Sequence, residues 1–211
     1  MIMIFAGFDT TARSLSSTIF NLKRYPDKLE KLKSELSKVG LQSTDEKSEK
    51  QLLEAYNNCD YLTYVIKEGL RLDPPTPESL NYKAIKDTEI CGVKIYKNEK
   101  LNISILYSHF NPDIYHRPLE FLPERFDPES ELFFKPSNSK EKRHPKSHIP
   151  FTYGLRTCVG QSLAKLESKV LLSRYIKKAD FDINKGILEN PSSRFNLADM
   201  DNLKGRINSI K

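Results

Sequence analysis

Phe151-Thr152-Tyr153-Gly154-Leu155-Arg156-Thr157-Cys158-Val159-Gly160 is a glycine-bracketed cysteine that follows Pro150 and leads into an amphipathic run. Gly154 and Gly160 let a backbone turn tightly and approach a flat ligand with no Cβ in the way. A helix starting at about Gly160 would set its positive end beside Cys158 and lower the thiol pKa, and Arg156 adds a fixed positive charge. The segment reads as a thiolate site; taken alone it reads equally as a buried, inert cysteine at a loop-to-helix junction. The helix after it carries Leu163, Leu166 and Val170 on one face, with Lys177-Lys178 near its end, where cations suit the dipole.

Upstream, ten of the twelve prolines lie between Pro74 and Pro150, so regular helix is nearly excluded there apart from short turns. Within this meander Lys135 to His148 sets Lys135, Lys140, Lys142, Arg143 and Lys146 against Glu141, and its composition predicts a solvated basic loop. Leu80 to Leu106 carries Ile90, Val93, Ile95, Leu101, Ile103 and Ile105 around a Lys97-Asn98-Glu99 turn, which predicts short strands. Before Pro74 the pattern is helical. One helix runs from Met3 to Leu22; a second opens at Pro26, runs through Leu29, Leu32, Leu36 and Val39, and stops at Gly40. Residues 42–51 read as a surface loop, and Asp60 caps a helix through Val65 to Leu72 that Asp73-Pro74-Pro75 ends.

With 211 residues, 38% apolar and 29% charged, the chain fits one soluble globular domain. The net charge of +6 is spread without the clustered aromatics of a nucleic-acid groove, so no nucleic acid is expected. Cys59, Cys91 and Cys158 are odd in number and lack C-x-x-C spacing, which argues against a disulfide framework and fits a reducing compartment. The apolar run Met1 to Phe8 is far short of the roughly 20 residues of a spanning helix and lacks a basic flank, so it is neither anchor nor signal. A zinc site from His144, His148 and Cys158 would need aligned i,i+4 histidines, and Pro145 and Pro150 break the helix that would align them.

Two further patterns stand out. In Ala6-Gly7-Phe8-Asp9-Thr10-Thr11 a glycine and an acid-hydroxyl pair interrupt an apolar helix; Gly7 leaves room beside the backbone, and a threonine can bond back to the preceding turn. The competing reading is an N-cap at Asp9-Thr10 with a helix starting at residue 11. In Glu68-Gly69-Leu70-Arg71 the i,i+3 spacing sets a carboxylate and a guanidinium on one helical face, and Pro123-Glu124-Arg125-Phe126 offers a third charged partner.

The cysteine segment is similar, at all five specified positions, to the haem-binding signature F-x-x-G-x-R-x-C-x-G of the cytochrome P450 family. Ala6 to Thr11 resembles the family's A-G-x-D-T-T motif, and Glu-x-x-Arg and P-E-R-F follow in the family's order. The resemblance implies a mainly α fold with small β-sheets (α+β), the C-terminal half of the cytochrome P450 fold with the N-terminal half absent. One partial domain then covers 1-211: distal helix and following helix in 1-40, Glu-x-x-Arg helix 60-72, short strands 80-107, meander 108-150, cysteine loop and proximal helix 151-178. It implies haem b as cofactor, held by Gly7, Phe151, Gly154, Arg156, Cys158 and Gly160. Cys158 would be the axial thiolate ligand to the haem iron and Arg156 a partner of a haem propionate. Asp9 and Thr10 would be the catalytic proton-delivery pair, and Glu68, Arg71 and Arg125 a structural charge triad.

The implied activity is a monooxygenase that inserts one oxygen atom from O2 into a small apolar substrate, with an NADPH-dependent flavoprotein reductase as electron donor. The basic loop could lie near that donor's docking face. Location at the endoplasmic reticulum membrane follows by analogy with full-length relatives, with no anchor in these residues. The alternative is a truncated, non-catalytic remnant that binds haem weakly or not at all. One departure is that, after Pro77, the family supplies an Arg or His to a propionate where this chain reads Glu78-Ser79-Leu80-Asn81-Tyr82-Lys83.

Overall fold

Helix α1 (Ile2–Arg24) and helix α2 (Pro26–Lys38) open the computed structural model, which describes residues 2–41, 48–183 and 205–210. Pro26 sits at the first turn of α2, where its missing N–H costs nothing, and Leu29, Leu32 and Leu36 form the buried stripe. Gly40 takes a left-handed φ of 69°, which lets Gly40 N–H reach Ser37 O and Leu41 N–H reach Leu36 O, both at 3.1 Å. That pattern satisfies carbonyls the helix end would otherwise leave unpaired. The expectation of a loop over 42–51 fails at its end. Residues 42–47 lie outside the described residues, but Ser48 and Gln51 form a capping box that starts helix α3 (Glu49–Asn57).

Helix α4 (Asp60–Leu72) is the most buried element, with Leu62, Val65, Glu68 and Arg71 wholly inaccessible to solvent. Asp60 is its first helical residue rather than its cap, because Glu35 of α2 takes that role: its carboxylate accepts Tyr61 N–H at 2.7 Å and Leu62 N–H at 2.8 Å. At the other end, Ser17 Oγ (2.5 Å) and Asn21 Nδ2 (3.0 Å) of α1 donate to the carboxylate of Asp73, the C-cap residue of α4. The two helices cross closely. A Cβ built on Gly69 would fall 2.2 Å from Thr18 Oγ1.

After α4 come small antiparallel pairs, first β1 (Tyr82–Lys83) with β4 (Lys100–Leu101) and β2 (Thr88–Ile90) with β3 (Val93–Ile95). The β2–β3 turn is Cys91-Gly92, both at positive φ. Ile105, expected in a strand, instead begins α5 (Ile105–His109), because Ser104 Oγ caps it by accepting Tyr107 N–H. The solvated-loop reading of Lys135 to His148 also needs correction. β5 (Phe134–Lys135) pairs with β6 (Asn138–Lys142), Lys135 ion-pairs with Glu141, and Arg143 folds inward. Its guanidinium donates to Leu132 O and Arg125 O and lies 4.9 Å from the Tyr115 ring.

α6 (Gln161–Lys178) buries Ser168, Leu172, Ser173 and Ile176, none of them in its first two turns, and β7 (Ala179–Ile183) pairs with β8 (Gly205–Ile210) after it. The expected stripe is displaced: Leu163 and Leu166 are exposed, because the core formed by α1, α2 and α4 meets only the later turns.

Glu68, Arg71 and Arg125 are buried without residual exposure, and every polar contact the triad needs is present. One carboxylate oxygen of Glu68 accepts from Arg71 Nη2 (2.8 Å), Arg125 Nε (3.0 Å) and Leu122 N–H (2.9 Å); the other accepts Arg71 Nε at 2.7 Å. Arg71 spends its remaining N–H groups on the carbonyls of His109, Pro118 and Glu120. Arg125 turns to those of His116, Arg117 and Glu120. Removing one partner leaves buried charge uncompensated. Glu68→Gln should therefore lower the unfolding free energy by about 3–5 kcal/mol in a urea titration, whereas Arg117→Ala, at the exposed Arg117–Glu120 pair, should change it by less than about 1. Gly69→Ala should cost about 1–3 kcal/mol by overpacking, and Thr18→Ala in the same chain should recover part of it.

Candidate functional site

The loop from Phe151 to Gly160 closes on one carbonyl. Phe151 O accepts Cys158 N–H at 3.0 Å and Thr157 Oγ1 at 3.3 Å, while Phe151 itself packs against the core. Two residues take left-handed φ, Gly154 at 92° and Thr152 at 61°. A glycine meets this at no steric cost; the strain at Thr152 is held in part by its hydroxyl, which donates to Arg156 O at 3.3 Å. Gly160 differs from expectation. It is the N-cap of α6 at φ −84°, and a Cβ there would stand 3.9 Å from Cys158 Sγ, an ordinary contact, so the loop's own geometry does not demand glycine.

Cys158 ends up exposed, two residues before that N-cap, which removes the buried-inert reading. The buried cysteine is Cys59, whose thiol is pushed up to about 11, first by burial and then by the Glu35 carboxylate. Arg156 is exposed, with its guanidinium 5.6 Å from the Tyr82 ring in β1, and Lys146 Nζ lies 4.2 Å from the Tyr153 ring. The basic segment thus does end beside the cysteine loop.

Two histidines tie this loop to α4, and sequence reasoning missed the role of both. His109 is buried; its Nε2 accepts Ile149 N–H at 3.1 Å, so Nδ1 carries the proton, 3.1 Å from Arg71 O. His148 stacks on it at 5.3 Å and places Nε2 3.1 Å from Lys67 O. Burial, then the Arg71 charge, lowers the His109 pKa to about 4; burial, then His109, pushes His148 well below its usual range. These engagements also dispose of the zinc reading. His144 Nδ1 accepts Lys146 N–H, and among the described residues no three ligating side chains cluster to hold a metal.

Asp9 and Thr10 lie inside α1, so the N-cap reading is overturned by a helix continuous through residue 11. Thr10 Oγ1 donates to Ala6 O at 2.6 Å, and Asp9 Oδ2 pairs with Arg13 Nε at 3.0 Å. A Cβ on Gly7 would meet nothing within 4 Å, and Phe8 beside it is exposed. The donor set fits haem: an accessible, soft sulfur for iron, a guanidinium for a carboxylate, and exposed Leu155 and Val159 flanking the cysteine for a flat apolar ring.

Because His109 stays neutral when folded and takes a proton near pH 6.5 when unfolded, its contribution is complete above 6.5 and is lost as the pH falls toward about 4. Urea titrations across that window should show about 3 kcal/mol more loss in the native chain than in His109→Gln. Equal slopes would contradict the assignment.

The sequence model of the cytochrome P450 family matches residues 1–199. Over its full length the chain is 30% identical to cytochrome P450 120 of Synechocystis sp., of which it covers 44%. It is 33% identical to cytochrome P450 4F8 of Homo sapiens over 81% of this chain and 30% of that one. With cytochrome P450 3A29 of Sus scrofa the identity is 31%, over 86% of this chain and 33% of the relative. The chain spans less than half the length of these relatives. With a family match over nearly all of its residues and a mainly helical fold with small antiparallel sheets, the chain belongs to the cytochrome P450 family.

Proposed function

We propose that this chain is the haem-ligating part of a monooxygenase that inserts one oxygen atom from O2 into an apolar organic substrate. The observation that carries the reading is the accessible thiol of Cys158, presented by a loop closed on Phe151 O at the start of α6. Haem b, the family's cofactor, supplies when bound the iron centre at which O2 is activated. Cys158 would supply the thiolate that holds the iron, and Gly154, at a φ of 92°, lets the loop that carries it turn.

Arg156 pairs with a propionate. The departure after Pro77 is consistent with that load falling on Arg156, since Ser79 and Glu78 are engaged by Ile103 N–H and Asn102 Nδ2 within the strand region. On α1, the Thr10 hydroxyl gives its proton to Ala6 O, which leaves the oxygen lone pairs able to accept from a ligand beside Gly7. Asp9 is paired with Arg13 and must turn from it to pass a proton on. An NADPH-dependent flavoprotein reductase is the proposed electron donor, with Lys146 beside the cysteine loop as one basic contact. Location at the endoplasmic reticulum membrane belongs to the same proposal; no helix of the described residues is long and apolar enough to cross a membrane.

The test is the reduced, carbon-monoxide difference spectrum of the chain after haem reconstitution. A thiolate-type Soret band that Cys158→Ala abolishes is expected, while Thr10→Ala should retain the band. A folded chain with no band, or a band that survives Cys158→Ala, would overturn the reading in favour of a non-catalytic remnant.

A further inference from the structure

A cavity of about 490 Å³ opens between α3, α4, the His148–Thr152 segment and the first half of α6. Its size is that of a small-molecule site, and its walls include Ile66, Leu70, Phe151 and Leu166. Three lysines line it, Lys67 of α4 and Lys165 and Lys169 of α6, and no Asp or Glu does. None of the three is in an ion pair with the described residues: Lys67 lies 5.6 Å from the Phe126 ring, Lys165 5.6 Å from the Phe151 ring, and Lys169 Nζ donates to Tyr56 O at 2.9 Å.

We infer that this cavity binds a small amphipathic anion, an apolar or aromatic body carrying a phosphate or carboxylate, with Lys67, Lys165 and Lys169 receiving the charge. Three cations brought to one partly enclosed space repel each other, and an anion between them converts that repulsion into attraction. Lys67 shows the cost: burial first, then Lys165 and Lys169, lowers its pKa, and burial does the same to Lys169, against the opposing pull of Asp60 on both and of Glu35 and Cys59 on Lys169. Gln161 and Ser162, in the first turn of α6, complete the same wall with polar side chains. The apolar walls select against a bare inorganic ion, because they gain only from a ligand with surface to bury. Cys158 does not line the cavity, but Phe151 and Thr152 do, so the site shares a wall with the cysteine loop and needs no haem to be tested.

Isothermal titration of the full chain with 1-naphthyl phosphate, 1-naphthol and inorganic phosphate decides it. One equivalent of 1-naphthyl phosphate should bind at least tenfold more tightly than either of the others. Lys165→Gln, at an exposed position, should weaken it several-fold and Lys67→Gln/Lys165→Gln tenfold or more, while Lys94→Gln on β3 leaves it unchanged; circular dichroism confirms that each variant folds. Equal affinity for 1-naphthol, equal affinity for phosphate, or indifference to Lys165→Gln would each overturn the inference. So would binding of a polyglutamate peptide but not of 1-naphthyl phosphate, which would make the lysines a contact for an acidic protein surface.

Discussion

A single carboxylate, Glu68, sits in the core between two guanidiniums, and no water reaches any of the three. Burying such charges is favourable only when every donor and acceptor is used. Here Arg71 satisfies all five N–H groups and Arg125 reaches three carbonyls beyond Glu68. The carbonyls come from residues 109 to 120, a stretch with little regular structure to pair them, so the cations of the triad do for this meander what a ladder does for a sheet. The net positive charge of one carboxylate and two guanidiniums is spread over those carbonyl dipoles. Apolar replacements could fill the volume but would leave the carbonyls without donors.

From that centre α4 acts as the common reference for both faces of the candidate site. Its last turn contacts α1 through Gly69 against Thr18 and through Asp73 to Ser17 and Asn21. The same turn meets the cysteine side through Arg71 O, His109 and Ile149 N–H. Gly7, Asp9 and Thr10 on one element, and Cys158 and Arg156 on another, are therefore positioned relative to the same four or five residues of α4. The buried side of α1 suits this role, because Ser14, Ser17 and Thr18 are small enough to admit a close helix crossing and polar enough to bond across it.

What was legible in the sequence followed from rigid local requirements. Glycine at positive φ in Gly154 and Gly40, proline at the start of α2, and charged residues at i,i+3 all constrain the backbone or the face directly. What was not legible depended on which neighbour arrives. Leu163 and Leu166 make a sound helical stripe, but periodicity does not say how far the core extends along a helix. Arg143 sits in a run whose composition is that of a solvated loop, and only the convergence of Tyr115, Phe126 and Phe133 around its guanidinium turns it inward. Ser48 and Gln51 did carry a capping-box signal for α3 that the surrounding polarity obscured.

Histidine roles were hidden for a related reason. An imidazole earns a structural place only when both nitrogens find partners, and for His109 those partners are backbone atoms 38 and 40 residues away in sequence. Neutrality is what makes the link work, since a protonated ring would set an N–H donor against the Ile149 N–H and leave two donors facing each other. Burial first, and then the adjacent Arg71 charge, enforce that neutrality, while the hydrogen bonds to Ile149 N–H and Arg71 O fix the tautomer that holds the cysteine loop. A change at Arg71 thus reaches the cysteine loop in two ways, by loosening the meander directly and by removing the charge that adds to burial in keeping His109 unprotonated.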